Sequence, residues 1–146
     1  MNNYNSLIAI MNLAQKYYPK NKLKHAIRVA GFACADAQTR TNVDPLLAFI
    51  VGIAHDLLED TECPHKELEW AIGEKLMSSV IILTKSDNIT YENYITEVKL
   101  SNDPLAILVK KADIKDHFSQ EETLTKKLIE KYLPHIKDFL WQNMKK

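Results

Sequence analysis

Residues 45–60 read PLLAFIVGIAHDLLED, in which an apolar run from Leu46 to Ala54 passes directly into a cluster of ionisable side chains. The run begins after Asp44 and Pro45, a pair that favours the first turn of a helix because the carboxylate caps free backbone amides. A helix that is apolar on nearly every side has to be buried. The stretch therefore predicts a central, buried helix that is charged at its carboxyl end.

The rest of the chain has mostly helical periodicity, and strand patterns are almost absent. Asp103 and Pro104 repeat the helix-start signal in front of a second apolar run. The one β-rich stretch, residues 80–84 (VIILT), has no partner strand and is interpreted as helix. We predict an all-α globule of about six or seven helices, with a last amphipathic helix over about 121–144 that Pro134 kinks or interrupts.

The composition of the 146 residues argues against several classes of protein. The 19 basic and 19 acidic residues give a net charge of zero, which argues against a broad nucleic-acid-binding face but permits a local basic pocket. No apolar run approaches the roughly 18 residues of a membrane span, and the first residues lack the features of a signal peptide. Two cysteines outside any paired motif are typical of a reducing compartment. We expect one domain over residues 1–146, located in the cytoplasm, without nucleic-acid or membrane partners; no pattern specifies an oligomeric state.

The carboxyl end of the predicted helix carries Asp56, Glu59 and Asp60 close together, with His55 beside them. Residues three or four apart share one side of a helix, so these carboxylates repel one another and the negative end of the helix dipole. No Lys or Arg within residues 45–60 offsets them. Because His and Asp are both common metal ligands, a bound divalent cation fits this cluster better than a distant ion pair.

Two residues elsewhere in the chain can complete such a site. His25 lies in a helix predicted over about 21–40, and Asp113 follows the apolar run of residues 105–109. Taken alone, each is more typical of a structural histidine or of a cap or ion-pair partner. Together with His55 and Asp56 they form the order H…HD…D, which is a known metal-binding order.

At these residues the chain resembles a family, the HD-domain metal-dependent phosphohydrolases. The likeness is sharper than His25 and the HD pair alone. Residues 55–61 (HDLLEDT), 83–85 (LTK) and 109–113 (VKKAD) are similar to motifs in the hydrolase domain of the RelA/SpoT guanosine polyphosphate 3′-pyrophosphohydrolases. The resemblance covers about residues 20–118 and preserves the order and spacing of the motifs.

The resemblance implies an all-helical fold that holds one divalent ion, typically manganese in this group. The implied metal ligands are His25, His55, Asp56 and Asp113. It also implies that Glu59 and Asp60 form the catalytic pair, which positions or deprotonates the attacking water and assists the leaving group. Carboxylates one turn from the ligands can reach such a water without binding the ion themselves. The alternative for this pair is a solvated helix end.

Basic and aromatic side chains in the matched segments are candidates for binding the substrate. Four lysines there could meet phosphates, although single lysines are more often solvated: Lys85, Lys110, Lys111 and Lys115. Lys110 precedes Asp113 by three residues and shares its side of the helix, as Arg28 does with His25. Tyr91 can border the pocket, although a tyrosine at helical spacing is more often core. The predicted substrate-binding residues are Arg28, Lys85, Tyr91, Lys110 and His117.

Two positions depart from the family pattern. No Arg precedes His25, where the family has an arginine that stacks on guanine, and His117 stands in place of the family's asparagine. Both changes concern the nucleoside and ribose, and the metal ligands are unchanged. The sequence therefore predicts a metal-dependent phosphohydrolase of a nucleotide polyphosphate, in first place a (p)ppGpp 3′-pyrophosphohydrolase-like enzyme. The alternatives are an HD-type nucleoside monophosphatase or phosphodiesterase, and a non-catalytic metal- and nucleotide-binding module.

Overall fold

The apolar run forms the central helix of a computed structural model that describes residues 2–120 and 125–144, with side chains described to residue 135. The helices are α1 (Asn3–Tyr17), α2 (Lys20–Ala37), α3 (Pro45–Ala54), α4 (Leu57–Asp60), α5 (His65–Leu83), α6 (Tyr91–Leu100), α7 (Pro104–Ser119) and α8 (Lys126–Met144). The described residues contain no strand, so the all-α prediction is confirmed. Seven of these helices are longer than a single turn, as predicted, and α4 has four residues.

The structure confirms helix in the β-rich stretch and in the C-terminal region. Residues 80–83 form the end of α5, and Thr84 follows as its C-cap. α5 bends at Gly73, where φ is 85°. α8 continues through Pro134. Residues 121–124, which we expected to begin this helix, lie outside the described residues. Across the described part of the chain, no helix combines the length and apolarity that crossing a membrane requires.

The two helix starts predicted from Asp-Pro pairs are confirmed. An Asp44 carboxylate oxygen accepts the backbone N–H of Leu46 at 2.8 Å, and Asp103 accepts that of Leu105 at 3.0 Å. In both helices proline occupies the first turn. A backbone N–H at this position would have no partner within the helix, so proline loses no hydrogen bond there. These caps fix where α3 and α7 begin and therefore which residues arrive at their far ends.

The expectation that one helix continues from Pro45 to Asp60 is wrong. α3 ends at Ala54, and Asp56 leaves the helical path with φ −103° and ψ 0° before α4 begins. The hydroxyl of Tyr18, directly after α1, donates to the carbonyl of Ile53 at 2.6 Å and accepts the N–H of Asp56 at 3.2 Å. A side chain that takes over backbone hydrogen bonds in this way breaks a helix without leaving buried groups unsatisfied.

α2 and α3 make the most extensive helix–helix contact in the described structure. Gly52 permits it, because a Cβ at this position would lie only 2.6 Å from the Cα of Ala30. The close approach sets the spacing between His25 on α2 and the residues that follow α3. The helices form one globule around a main apolar core. A smaller cluster of buried apolar side chains is formed by α6, α7 and α8.

We predict that Gly52→Ala lowers the free energy of unfolding by about 1–3 kcal/mol, because the added methyl group forces the two backbones apart. Gly31→Ala is the matched control: a Cβ there meets nothing within 4 Å, and alanine is the better helix former. Urea denaturation followed by circular dichroism measures both variants. Equal stability of the Gly52→Ala variant and the natural protein would contradict the close-packing argument.

Candidate metal centre

Four ligand atoms from three separate parts of the chain converge on one point. His25 Nε2, from α2, lies 2.9 Å from Asp113 Oδ1, from α7. His55 Nε2 lies 3.2 Å from Asp56 Oδ2, and both residues belong to the break between α3 and α4. His25 Nε2 also lies 3.6 Å from Asp56 Oδ2, and His55 Nε2 lies 3.6 Å from Asp113 Oδ1. The structure thus brings together the four residues that were predicted as metal ligands.

Three of these atoms are buried and lack a hydrogen-bond partner among the described residues: His25 Nε2, His55 Nε2 and Asp113 Oδ1. Buried polar atoms without partners are costly, so their meeting at one point needs a physical cause. Ligands about 2.0–2.2 Å from one ion, at right or tetrahedral angles, are about 2.8–3.6 Å apart. The observed distances fit this range, so the group could hold a metal ion.

Both histidines are oriented through their other ring nitrogen. His55 Nδ1 lies 2.6 Å from the carbonyl oxygen of Gly52, and His25 Nδ1 lies 2.7 Å from Oδ2 of Asp116. A carbonyl and an ionised carboxylate only accept hydrogen bonds, so each Nδ1 carries the proton and donates. In the neutral imidazole, each Nε2 then has a lone pair directed at the common point, which is the arrangement of metal-bound histidines.

Asp116 was not predicted from the sequence. Arg28 donates to it twice, from Nε at 2.7 Å and from Nη2 at 3.1 Å, and so holds the carboxylate against His25. Arg28 therefore lies behind His25, where it orients Asp116, and it does not line the cavity described below. The available signal was spacing, because Asp116 follows Asp113 by three residues on the same side of α7.

The cluster attracts positive charge. Burial lowers the pKa of His55, but Asp56 and Asp113 outweigh this and hold it well above its ordinary value. Burial raises the pKa of Asp113, yet Lys110 and the neighbouring histidines hold it well below its ordinary value. Without an ion, the carboxylates thus favour protonated imidazoles in the space where a cation would neutralise them.

The two predicted catalytic carboxylates stand one turn further on, in α4. Glu59 Oε1 accepts the backbone N–H of Lys85 at 2.7 Å, and Asp60 Oδ2 accepts Nζ of Lys22 at 3.0 Å. Burial raises the pKa of Glu59. Both carboxylates line the same cavity as Asp56, so they can reach a group held beside the ligand cluster.

A cavity of about 260 Å³ opens from the ligand cluster. Its charged and aromatic lining comes from six parts of the chain: Lys22, Asp56, Glu59, Asp60, Lys85, Tyr91, Tyr94, Lys110, Asp113, His117, Lys131 and Tyr132. Four of the five predicted substrate-binding residues are in this lining, and Arg28 is the exception. Sequence reasoning missed Lys22, which precedes His25 by three residues, and it missed Lys131 and Tyr132, because α8 lies beyond the matched motifs.

Of the four candidate lysines, Lys85 and Lys110 line the cavity, whereas Lys111 and Lys115 lie elsewhere. Lys110 lies in the cavity, where its ammonium group is 2.8 Å from Asp113 Oδ2. Lys111 instead binds Asp36 at 2.8 Å, and Lys115 lies over the ring of Phe32, both beside a separate pocket. Consecutive lysines on a helix point about 100° apart, so only one of the pair can face the ligands.

No protein-family model matches the chain, and no curated protein matches it. The resemblance to the HD-domain phosphohydrolases stays a prediction drawn from the motif residues.

We predict that Asp56→Asn weakens manganese binding by about tenfold or more, because it removes a charged ligand atom from the convergent group. Asp60→Asn makes the same chemical change four residues later, next to Lys22, and should leave the affinity within about twofold of the natural protein. Competition with a chromophoric chelator measures both affinities. If the two variants bind manganese equally well, Asp56 is not a ligand.

Asp116→Ala should weaken metal binding by about tenfold to a hundredfold, although Asp116 is not a ligand, since it fixes the tautomer and direction of His25. The matched control is Asp36→Ala, which removes a carboxylate that also binds an arginine and a lysine, but away from the cluster. The same chelator competition applies. An unchanged affinity in Asp116→Ala would show that His25 does not need this support.

Proposed function

We propose that the protein is a metal-dependent phosphohydrolase that acts on a nucleotide polyphosphate. The first candidate reaction is removal of the 3′-diphosphate from guanosine 3′-diphosphate 5′-diphosphate. The observation that carries the proposal is the convergence of His25, His55 and Asp113 through buried atoms that lack hydrogen-bond partners among the described residues. Asp113 also lines an adjacent cavity that contains both lysines and carboxylates. Metal-dependent phosphoester hydrolysis needs both a group that binds the ion and a cavity that binds phosphate.

The ligand set suits a first-row divalent ion, and we propose manganese, held by His25, His55, Asp56 and Asp113. When bound, the ion would supply positive charge beside the phosphorus and lower the pKa of a water, so that this water loses a proton more easily and becomes a better nucleophile. The support given to each imidazole by Gly52 and Asp116 keeps the ligand directions fixed through the reaction.

Glu59 is the proposed base. Its carboxylate is one turn from Asp56, the N–H of Lys85 holds it in place, and burial raises its pKa, which favours proton uptake. It accepts the proton of the attacking water as the new oxygen–phosphorus bond forms. The 3′ oxygen takes up a proton from solvent water as its bond to phosphorus breaks, which leaves a 3′ hydroxyl and pyrophosphate. Asp60, ion-paired with Lys22, is proposed to orient the water or the leaving group.

The lysines of the cavity are proposed to bind the phosphates. Lys22 pairs with Asp60, the backbone N–H of Lys85 binds Glu59, and Lys110 pairs with Asp113. As mobile point charges, ammonium groups suit phosphate oxygens whose positions change during the reaction. The chain has no net charge, so this local concentration of cations is what would select a phosphorylated substrate.

The size of the cavity favours a second candidate, a nucleoside monophosphatase or phosphodiesterase. Its volume of about 260 Å³ is below the roughly 300–1,000 Å³ of ordinary small-molecule pockets. A compact phosphoester would fill it, whereas a guanosine tetraphosphate would extend into solvent. His117, in place of an asparagine, also changes the surface that would meet a ribose.

Hydrolysis by the manganese-loaded protein tests the proposal, with guanosine 3′-diphosphate 5′-diphosphate and guanosine 5′-monophosphate as substrates. Pyrophosphate from the first substrate supports the first candidate, and orthophosphate from the second supports the second candidate. We expect Glu59→Gln to lower kcat by roughly 10²–10⁴-fold while manganese remains bound, because it removes the base and leaves the ligands intact.

The matched control is Glu62→Gln, which changes an exposed glutamate three residues later and should keep full activity. Tight nucleotide binding without any product would indicate a non-catalytic binding module instead of an enzyme. No turnover across a panel of nucleotides with manganese, iron, cobalt, zinc or magnesium would refute the proposal.

A further inference from the structure

α8 forms one wall of the cavity, although it lies outside the segments that carry the motif. Tyr132 is 5% exposed and packs in the smaller apolar cluster with Tyr94 and Ile114. Its ring stacks on His117, with centroids 4.7 Å apart and planes inclined by 13°. His117 in turn lies 3.3 Å from the proposed ligand atom Oδ1 of Asp113. The stacked pair of Tyr132 and His117 therefore links α8 to the ligand cluster.

This docking brings Lys131 to the cavity. Its ammonium group lies 4.5 Å from the ring centroid of Tyr91 and 5.2 Å from that of Tyr132. In the part of the chain that the structure describes, no carboxylate pairs with it, whereas Lys22 and Lys110 each have an aspartate. Lys131 is thus a cation on the cavity wall whose neighbours are aromatic faces.

A second cation shares the same ring. Lys110 lies 5.5 Å from the centroid of Tyr91 and 4.9 Å from that of Tyr94. Asp113 pairs directly with Lys110. Among the side chains that the structure describes, no carboxylate is within ion-pair distance of Lys131, and the charges of Asp113 and Glu59 act on it only from further away. An anion in the cavity would satisfy Lys131 at little cost, because the tyrosine rings already hold the ammonium group in place.

We infer that Lys131 binds a phosphate of the substrate other than the one attacked, so that the cavity prefers diphosphate groups to monophosphates. This inference rests on the proposed phosphate chemistry of the same site. It assigns α8 a direct part in substrate selection. The chemistry that Lys131 recognises is a diphosphate, whatever nucleoside carries it.

Equilibrium dialysis of guanosine 5′-diphosphate and guanosine 5′-monophosphate, at a fixed concentration of free manganese, tests the inference. Lys131→Gln should weaken binding of the diphosphate by about tenfold, because one charge-assisted contact is lost, and should change binding of the monophosphate by less than about threefold. Lys131→Arg should keep the preference for the diphosphate. Lys126→Gln is the matched control, since it removes the same charge from an exposed position on α8 that faces Glu130.

The outcomes separate this inference from the proposed function. Unchanged diphosphate affinity in Lys131→Gln overturns the inference, even if the enzyme hydrolyses nucleotides. Equal losses for both nucleotides also overturn it, since Lys131 would then act on the whole site. A selective loss in a protein that hydrolyses no nucleotide supports the diphosphate site and refutes only the hydrolase. Lys131 is exposed, so its substitution should leave the fold intact, and circular dichroism verifies this.

Discussion

The crowding of two imidazoles and two carboxylates around one buried point is the constraint on which the rest of the structure depends. Such a group is stable only if every other polar atom near it is satisfied and positive charge is supplied. The fold meets the first condition residue by residue. The Gly52 carbonyl and Asp116 hold the histidines, Lys110 neutralises Asp113, and Tyr18 bonds to the backbone where the helix breaks. Because of the second condition, the cluster could hold a metal ion.

α7 shows how one helix serves both the core and the cavity. Lys110 and Lys111 are adjacent and both almost fully buried, yet they face different partners. Lys110 joins Asp113 and the tyrosines of α6, while Lys111 joins Asp36 of α2 on another side. Each buried ammonium has its own carboxylate, so the cost of removing two cations from water is offset locally.

Local signals predicted most of the fold. The Asp-Pro starts of α3 and α7 depend on neighbouring residues alone, and the apolar run had to be central because nothing polar interrupts it. The four residues of the candidate site were predictable because His and Asp occur in a recognised order. The helix break was not predictable, since it needs a hydroxyl from Tyr18, far away in the sequence. The wall built by α8 was missed for the same reason: only tertiary packing brings Tyr132 against His117.

Gly52 takes part in two functions through two different atoms. Because Gly52 has no Cβ, α3 can approach Ala30 closely, and its carbonyl oxygen accepts a hydrogen bond from Nδ1 of His55. A side chain at this position would move the backbone that orients His55, so the stability of the fold and the geometry of the candidate metal centre cannot be adjusted there independently. During evolution such a position is expected to change only together with its neighbours. Other residues of α3 can exchange one apolar side chain for another of similar size.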